Sequence, residues 1–433
     1  MKNTTVDARR VVISGLGFIS SIGNDAAEVT RSLRELRHGL APHEFMPGQY
    51  LPVKVAGTIK GFDTRSTHHA EWRWPERYSF ARDVLRSLPP HGLHAFCAVE
   101  QLIADARLTP ELLADGETGL FTASAGSPFL QRHYLNQLHA SEGARMHPMG
   151  VVSTIPGTLN FNLAPHYRIR GAVCGFVSAC ASTAHAIGYA ADEIRRGRQQ
   201  RILVVGAEDL SCESTYSFQS MRALSRNPDP DTASRPFDRD RDGFVGTGGA
   251  AALLLEDAAS AQARGAPIYG ELLGWGQASD GYNMAIAEPE GRGLAEAMRR
   301  ALLDAGITPA DVGYLNAHGT STPNGDLSEL RAIKAVFSPA GAGPAISSTK
   351  ALTGHALSMA SALETGFCAL ALREGFTPGQ AHLANPDPAC EGLHLPRHTL
   401  PTAPEIILKN SSGFGGSNVS LVLRRWSAAN RDT

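Results

Sequence analysis

The chain has 433 residues, 42% of them hydrophobic and 19% charged, with a formal net charge of −2. That length holds two domains or one large duplicated one, and the small net charge argues against bulk electrostatic binding to nucleic acid or a membrane surface. No apolar run reaches ~18 residues, so no membrane span is expected, and six cysteines (97, 174, 180, 212, 368 and 390) without C-x-x-C spacing read as reduced thiols of a cytoplasmic protein.

Residues 10–14 (Arg-Val-Val-Ile-Ser) predict a first strand, turned by Gly15-Leu-Gly17, and 25–38 predict a helix. The G-x-G-x-x-G pattern fails at its sixth position, Ser20, which leaves a dinucleotide fold weakly supported. Residues 40–75 read as irregular; His68 and His69 are adjacent and point apart on a strand or a helix, so no metal site is expected there. Residues 76–86 and 92–107 predict helices, Gly119 to Gly126 a buried strand entering a loop, and 128–150 a segment that begins helical and ends irregularly. Arg201 to Glu208 reads as a central strand of the parallel kind and Ala250 to Glu256 as another buried strand. Between them Asp238-Arg-Asp-Arg-Asp-Gly243 imitates a calcium loop, but the twelfth position is Gly249, and calcium is not expected.

Near residue 257 the pattern restarts. Strands are predicted at 268–278, 312–317, 406–409 and 419–424, and helices at 294–305, 326–337 and 359–374. Alternation of strand and helix in both halves, 1–256 and 257–433, predicts an α/β duplication. Residues 428–433 read as a loose tail.

Four segments carry chemistry. Cys180 stands in Ser-Ala-Cys-Ala-Ser-Thr183, directly ahead of an Ala-rich helix that stops at Gly197. Free N–H groups at a helix start favour a thiolate and can hold an oxyanion, although a buried, inert cysteine fits the same segment. Asn316-Ala-His318-Gly-Thr320-Ser-Thr322-Pro-Asn-Gly-Asp326 puts a histidine just past a strand, and Thr349-Lys350-Ala-Leu-Thr-Gly354-His355 places a lysine and a second histidine five apart. Taken alone, each histidine reads more readily as a hydrogen-bonded structural one than as a catalytic one. Asn410-Ser-Ser-Gly413-Phe414-Gly415-Gly416-Ser-Asn418 is a glycine-dense loop between two strands.

Jointly, in this order, the four motifs resemble the elongating 3-oxoacyl-[acyl-carrier-protein] synthases, the beta-ketoacyl synthase II-like ketosynthases of fatty acid and type II polyketide synthesis. The likeness runs from Arg10-Val-Val-Ile to Ser420-Leu-Val-Leu. It implies a thiolase-like, five-layered α-β-α-β-α fold and a homodimer or a heterodimer. It implies an acyl chain carried on Cys180, an oxyanion hole of the Cys180 and Phe414 N–H groups, and neutral His318 and His355 that polarise a malonyl thioester as it loses CO2. Lys350 would orient the site, Asp326 and Glu329 would support the His318 loop, and Phe414 would act as a gate. Thr320 and Thr322 would bind a phosphopantetheine arm delivered by an acyl carrier protein, so neither a metal nor a resident cofactor is expected. Arg73, Arg77 and Arg222 are candidates for docking that acidic carrier, against a plain reading as surface arginines.

Two departures from the family pattern stand out. Gly248 occupies a position where relatives carry an acid. Gly126 and Gly150 match positions where relatives carry bulk, which predicts a wide acyl pocket and a specialised chain such as a polyene, against loop drift and housekeeping elongation. A non-catalytic chain-length partner is disfavoured because Cys180 is present, and a thiolase or a cysteine hydrolase because two histidines accompany it.

Overall fold

The computed structural model describes residues 9–45, 52–338 and 343–427; the tail predicted at 428–433 lies outside them. Ten strands pair into one mixed sheet. The first five are β1 (Val11–Ile19), β2 (Thr118–Ala123), β3 (Val173–Gly175), β4 (Arg201–Glu208) and β5 (Gly249–Asp257). The second five are β6 (Gly270–Ser279), β7 (Tyr314–Asn316), β8 (Ala345–Ser347), β9 (Ile406–Gly413) and β10 (Ser417–Arg424). The spatial order is β8-β7-β9-β10-β6-β1-β5-β4-β2-β3.

Read outward from the centre, both halves have the same order, first-fifth-fourth-second-third, with two antiparallel pairings followed by two parallel ones. A short antiparallel contact of Val12 and Ile13 with Glu271 and Gly270 joins them. β4 is parallel to β2 but antiparallel to β5, so it is parallel on one side only. Helices supply the other layers: α1 (Pro90–Asp105) packs on the outer face of β1, β5 and β4, and α3 (Arg292–Asp304) on β6 and β10, backed by α4 (Pro323–Phe337). Between the half-sheets lie α2 (Ser182–Arg195) and α5 (Ala360–Glu374), which touch each other and strands of both halves. This is the α-β-α-β-α order.

The first strand outruns its prediction. Gly15 and Gly17 are not a turn but lie inside β1, facing α1, where a Cβ at Gly17 would sit 1.9 Å from the Ala98 carbonyl oxygen. The two glycines let a strand and a helix approach at backbone distance. Residues 76–86 shorten to a single turn, Arg82–Leu85, while Thr158–His166 and Cys212–Ser220 form helices that no clear periodicity announced. The three residues of β3 are all exposed, so they carry no apolar alternation to read.

Candidate active site

Cys180 follows Ala179, a non-glycine residue at φ +50°, and precedes α2 by one residue. The turn is held by Ser182, whose hydroxyl donates to the Ala179 carbonyl at 2.6 Å and accepts from the Ser178 N–H at 2.9 Å. A left-handed residue here turns the next side chain out of the strand–helix line, toward the second half of the molecule. Cys180 Sγ lies 3.0 Å from His355 Nε2. Burial pushes the thiol up to about 12, opposed by Lys350 and reinforced by Glu208 and Glu364. The helix start alone therefore does not give the resting thiolate that the sequence suggests.

His355 reaches across from the second half because its backbone is clamped to the first: its N–H donates to the Val245 carbonyl at 2.7 Å and its own carbonyl accepts from Thr247 at 3.1 Å. The Phe244 ring meets the imidazole edge-on at 5.3 Å, and His318 does the same at 5.4 Å. Burial, then the Lys350 charge, holds both imidazoles well below the usual histidine range. They are neutral at pH 7.

The His318 loop hangs on two buried carboxyls, as the motif implied. Glu329 accepts from the N–H groups of His318 (2.9 Å) and Gly319 (2.6 Å), and Asp326 from those of Thr320 (3.0 Å), Ser321 (3.1 Å) and Phe237 (2.9 Å). Burial pushes the Asp326 carboxyl up to about 7. The Lys350 ammonium donates to the His318 carbonyl at 2.6 Å and pairs with Glu364. Lys350 is 1% exposed, and it fixes the loop rather than reaching the thiol.

A cavity of about 330 Å³ opens above these groups, and Cys180, His318, His355, Thr320, Thr322, Arg222 and Phe414 all line it. The hydroxyls of Thr320 and Thr322 are 3.0 Å apart. Phe414 is half exposed at the tip of the β9–β10 hairpin, against Phe218 at 5.8 Å. Gly413 lies so close to the nucleophile that a Cβ would meet the Ser178 carbonyl oxygen at 2.6 Å and the Cys180 nitrogen at 3.2 Å. The start of the β9–β10 hairpin turn is thus laid beside the Cys180 amide.

Other predicted residues fall elsewhere. Gly126 and Gly150 do not border this cavity. Gly126 has φ +82° and packs on backbone, its missing Cβ falling 2.3 Å from the Thr154 carbonyl oxygen, so it opens no channel; at Gly150 the nearest atom belongs to the Tyr134 ring, at 3.5 Å. Gly248 sits against backbone too, with a Cβ position 2.9 Å from the Glu208 carbonyl oxygen. Arg222 stands at the cavity mouth, whereas Arg73 and Arg77 are exposed away from it, Arg77 donating to the Asn24 carbonyl at 3.0 Å.

Sequence reading missed Glu364 and Lys409. A glutamate inside the apolar run Ser-Ala-Leu-Glu-Thr-Gly-Phe and a lysine ending Ile-Ile-Leu-Lys were the signals, since a lone charge in a buried element demands a partner.

A thiol faces two neutral imidazoles, each half of a duplicated α/β fold supplying part, an arrangement that suits an acyltransferase working through sulfur. Residues 8–261 match the family model of the beta-ketoacyl synthase N-terminal domain and residues 269–384 that of its C-terminal domain, and the chain belongs to the beta-ketoacyl synthase family. It is 38% identical over 423 residues to 3-oxoacyl-[acyl-carrier-protein] synthase 1 of Haemophilus influenzae, covering 96% of this chain and 99% of that protein. It is 35% identical to synthase 2 of Synechocystis, covering 97% and 99%. The crystal structure of a beta-ketoacyl synthase from Burkholderia phymatum superposes with a TM-score of 0.87 at 32% identity, over 97% of this chain and all of that one. A ketosynthase bound to its hexaketide and to a type II polyketide synthase acyl-carrier protein superposes with 0.83 at 28% identity, over 97% and 100%. The chemistry of this chain is that of a 3-oxoacyl-[acyl-carrier-protein] synthase. No helix among the described residues is long and apolar enough to cross a membrane.

Proposed function

We propose that Cys180, His318 and His355 perform a decarboxylative condensation in two stages. The Cys180 sulfur attacks the carbonyl of an acyl thioester, and the thiol proton leaves with the displaced carrier thiol. A malonyl thioester then binds, and its C–C bond to the carboxylate breaks, releasing CO2. The electron pair passes into an enolate whose oxygen accepts from His318 and His355, which donate best when neutral and buried. The carbanion attacks the acyl–Cys180 carbonyl, the oxyanion is held by the Cys180 and Phe414 N–H groups, and collapse expels the Cys180 thiolate and leaves a 3-oxoacyl thioester on the carrier. The observation that carries this reading is the 3.0 Å contact of Cys180 Sγ with His355 Nε2, with His318 edge-on beside it.

The substrates arrive on the phosphopantetheine arm of an acyl carrier protein, so no resident cofactor is invoked. The arm would run past the Thr320 and Thr322 hydroxyls, with Arg222 meeting the acidic carrier at the mouth. Gly126 and Gly150 lie off the lining of this cavity, and the names of the relatives favour general acyl elongation over a specialised chain such as a polyene. The exposed edge of β3, flanked by exposed Val177, Phe161 and Val151, would pair with a second ketosynthase-like chain.

Cys180→Ala should lower condensation of acyl- and malonyl-carrier protein by at least about 10³-fold, the scale of losing a covalent nucleophile, with an unchanged fold by circular dichroism. Condensation retained in that variant overturns the assignment. Cys180→Gln, with both histidines intact, should still decarboxylate the malonyl thioester.

A further inference from the structure

Behind His318 the interior holds an ionic cluster in which two ammonium groups share one carboxylate. Glu364, on α5, is approached on one oxygen by the Lys350 ammonium and on the other by that of Lys409, 2.9 Å away. Lys409, the fourth residue of β9, is 0% exposed, and its ammonium also donates to the Ser361 hydroxyl at 2.9 Å and to that of Ser411. One carboxylate shared between two ammonium groups neutralises neither fully, and the neighbouring carboxyl of Glu329 is already engaged by the His318 and Gly319 N–H groups, in a medium where charges act strongly. A fold needing only to anchor the His318 loop would close the account with Lys350 and Glu364 alone. The second lysine requires a different explanation.

We propose that Lys409 is a positioning residue for the condensation: by sharing Glu364 it leaves Lys350 only half neutralised beside His318, and the resulting buried positive field keeps both imidazoles unprotonated and favours the enolate and thiolate that form between them. This rests on the reading of His318 and His355 as neutral hydrogen-bond donors. The charged and titratable groups facing the imidazoles are Lys350, Lys409, Glu364, Glu329 and Cys180, with Glu208 behind the last. Cys368 on α5 and Tyr314 on β7 also adjoin the cluster; burial pushes both up, and they stay neutral. The field of Lys409 lowers both imidazoles in addition to burial and Lys350. Burial also lowers Lys409 itself, and contact with Glu364 opposes this.

The test is the pH profile of malonyl-carrier protein decarboxylation and of condensation in Lys409→Met, which keeps the length of the side chain and removes the charge. A neutral imidazole is lost as pH falls through its pKa. Removing the cation raises that pKa, so the acidic limb of kcat/KM should move up by on the order of one pH unit, as expected for one buried charge at this range, with a loss of about tenfold on the acid side and a smaller loss above pH 8. A limb that stays in place overturns the proposal. If Lys409→Met proves unstable, Lys409→Gln and the imidazole signals of 15N-histidine-labelled protein give the same comparison without turnover, and unchanged histidine titration there also overturns it. Failure of the wider catalytic reading would look different, since the parent protein itself would then fail to decarboxylate the malonyl thioester.

Discussion

A thiol pushed up to about 12 and an imidazole held well below its ordinary range are both uncharged at pH 7, so the 3.0 Å contact of Cys180 with His355 is a neutral hydrogen bond at rest. The shift lies on the protonated side for the thiol, so thiolate appears only as pH rises toward the folded-state value. Alkylation of Cys180 by iodoacetamide should therefore quicken by about tenfold per pH unit between pH 7 and 10 without levelling off; a plateau below pH 8 would mean a depressed thiol. The position of Cys180 before a helix was legible from its small neighbours and the Ala-rich run that follows. Its ionisation was not, because that depends first on burial and then on Lys350, Glu208 and Glu364, which only folding brings near. Lys350 and His355 were legible for the same reason as Cys180, as polar residues in a motif. Lys409 and Glu364 each stand out as a lone charge in an apolar run, but only folding shows that they meet.

At the scale of elements, the sequence shows where strands and helices alternate but not how closely they pack. Gly15 and Gly17 read as a turn because glycine is ambiguous between a bend and a close approach. The register of β1 on α1 resolves it, because no side chain fits at Gly17 without moving the Ala98 backbone. Gly17→Ala should thus lower thermal stability by about 1–3 kcal/mol, the usual cost of overpacking a tight contact, measured by chemical denaturation. An unchanged midpoint would show that α1 can shift freely. At Gly126 a related ambiguity holds: the missing side chain leaves no hole, because the main chain at Thr154 fills the space beside it. The β9–β10 loop was read as longer than it is because Asn410, Ser411 and Ser412 look like turn residues, yet they pair in register with Ser420, Val419 and Asn418.

At the scale of the whole molecule, one edge of the sheet is left bare. β3 offers three exposed residues, and Val177 beyond it is 78% exposed. Replacing Val173 and Val177 together by Asp should convert a particle of twice 46.0 kDa into a single chain in sedimentation, with loss of activity if the second chain supports the site. A parent protein that sediments as a monomer would remove that edge as an interface.

The matching strand order of the two halves has a consequence for how the reacting groups came to be where they are. In the first half the chain runs from β3 through Cys180 into α2 and back to β4. In the second it runs from β8 through His355 into α5 and back to β9. Cys180 and His355 thus occupy corresponding places in the two halves, each between the third strand and the inner helix of its half, one carrying sulfur and the other nitrogen. The asymmetry that the reaction needs is thus a division of labour between twins.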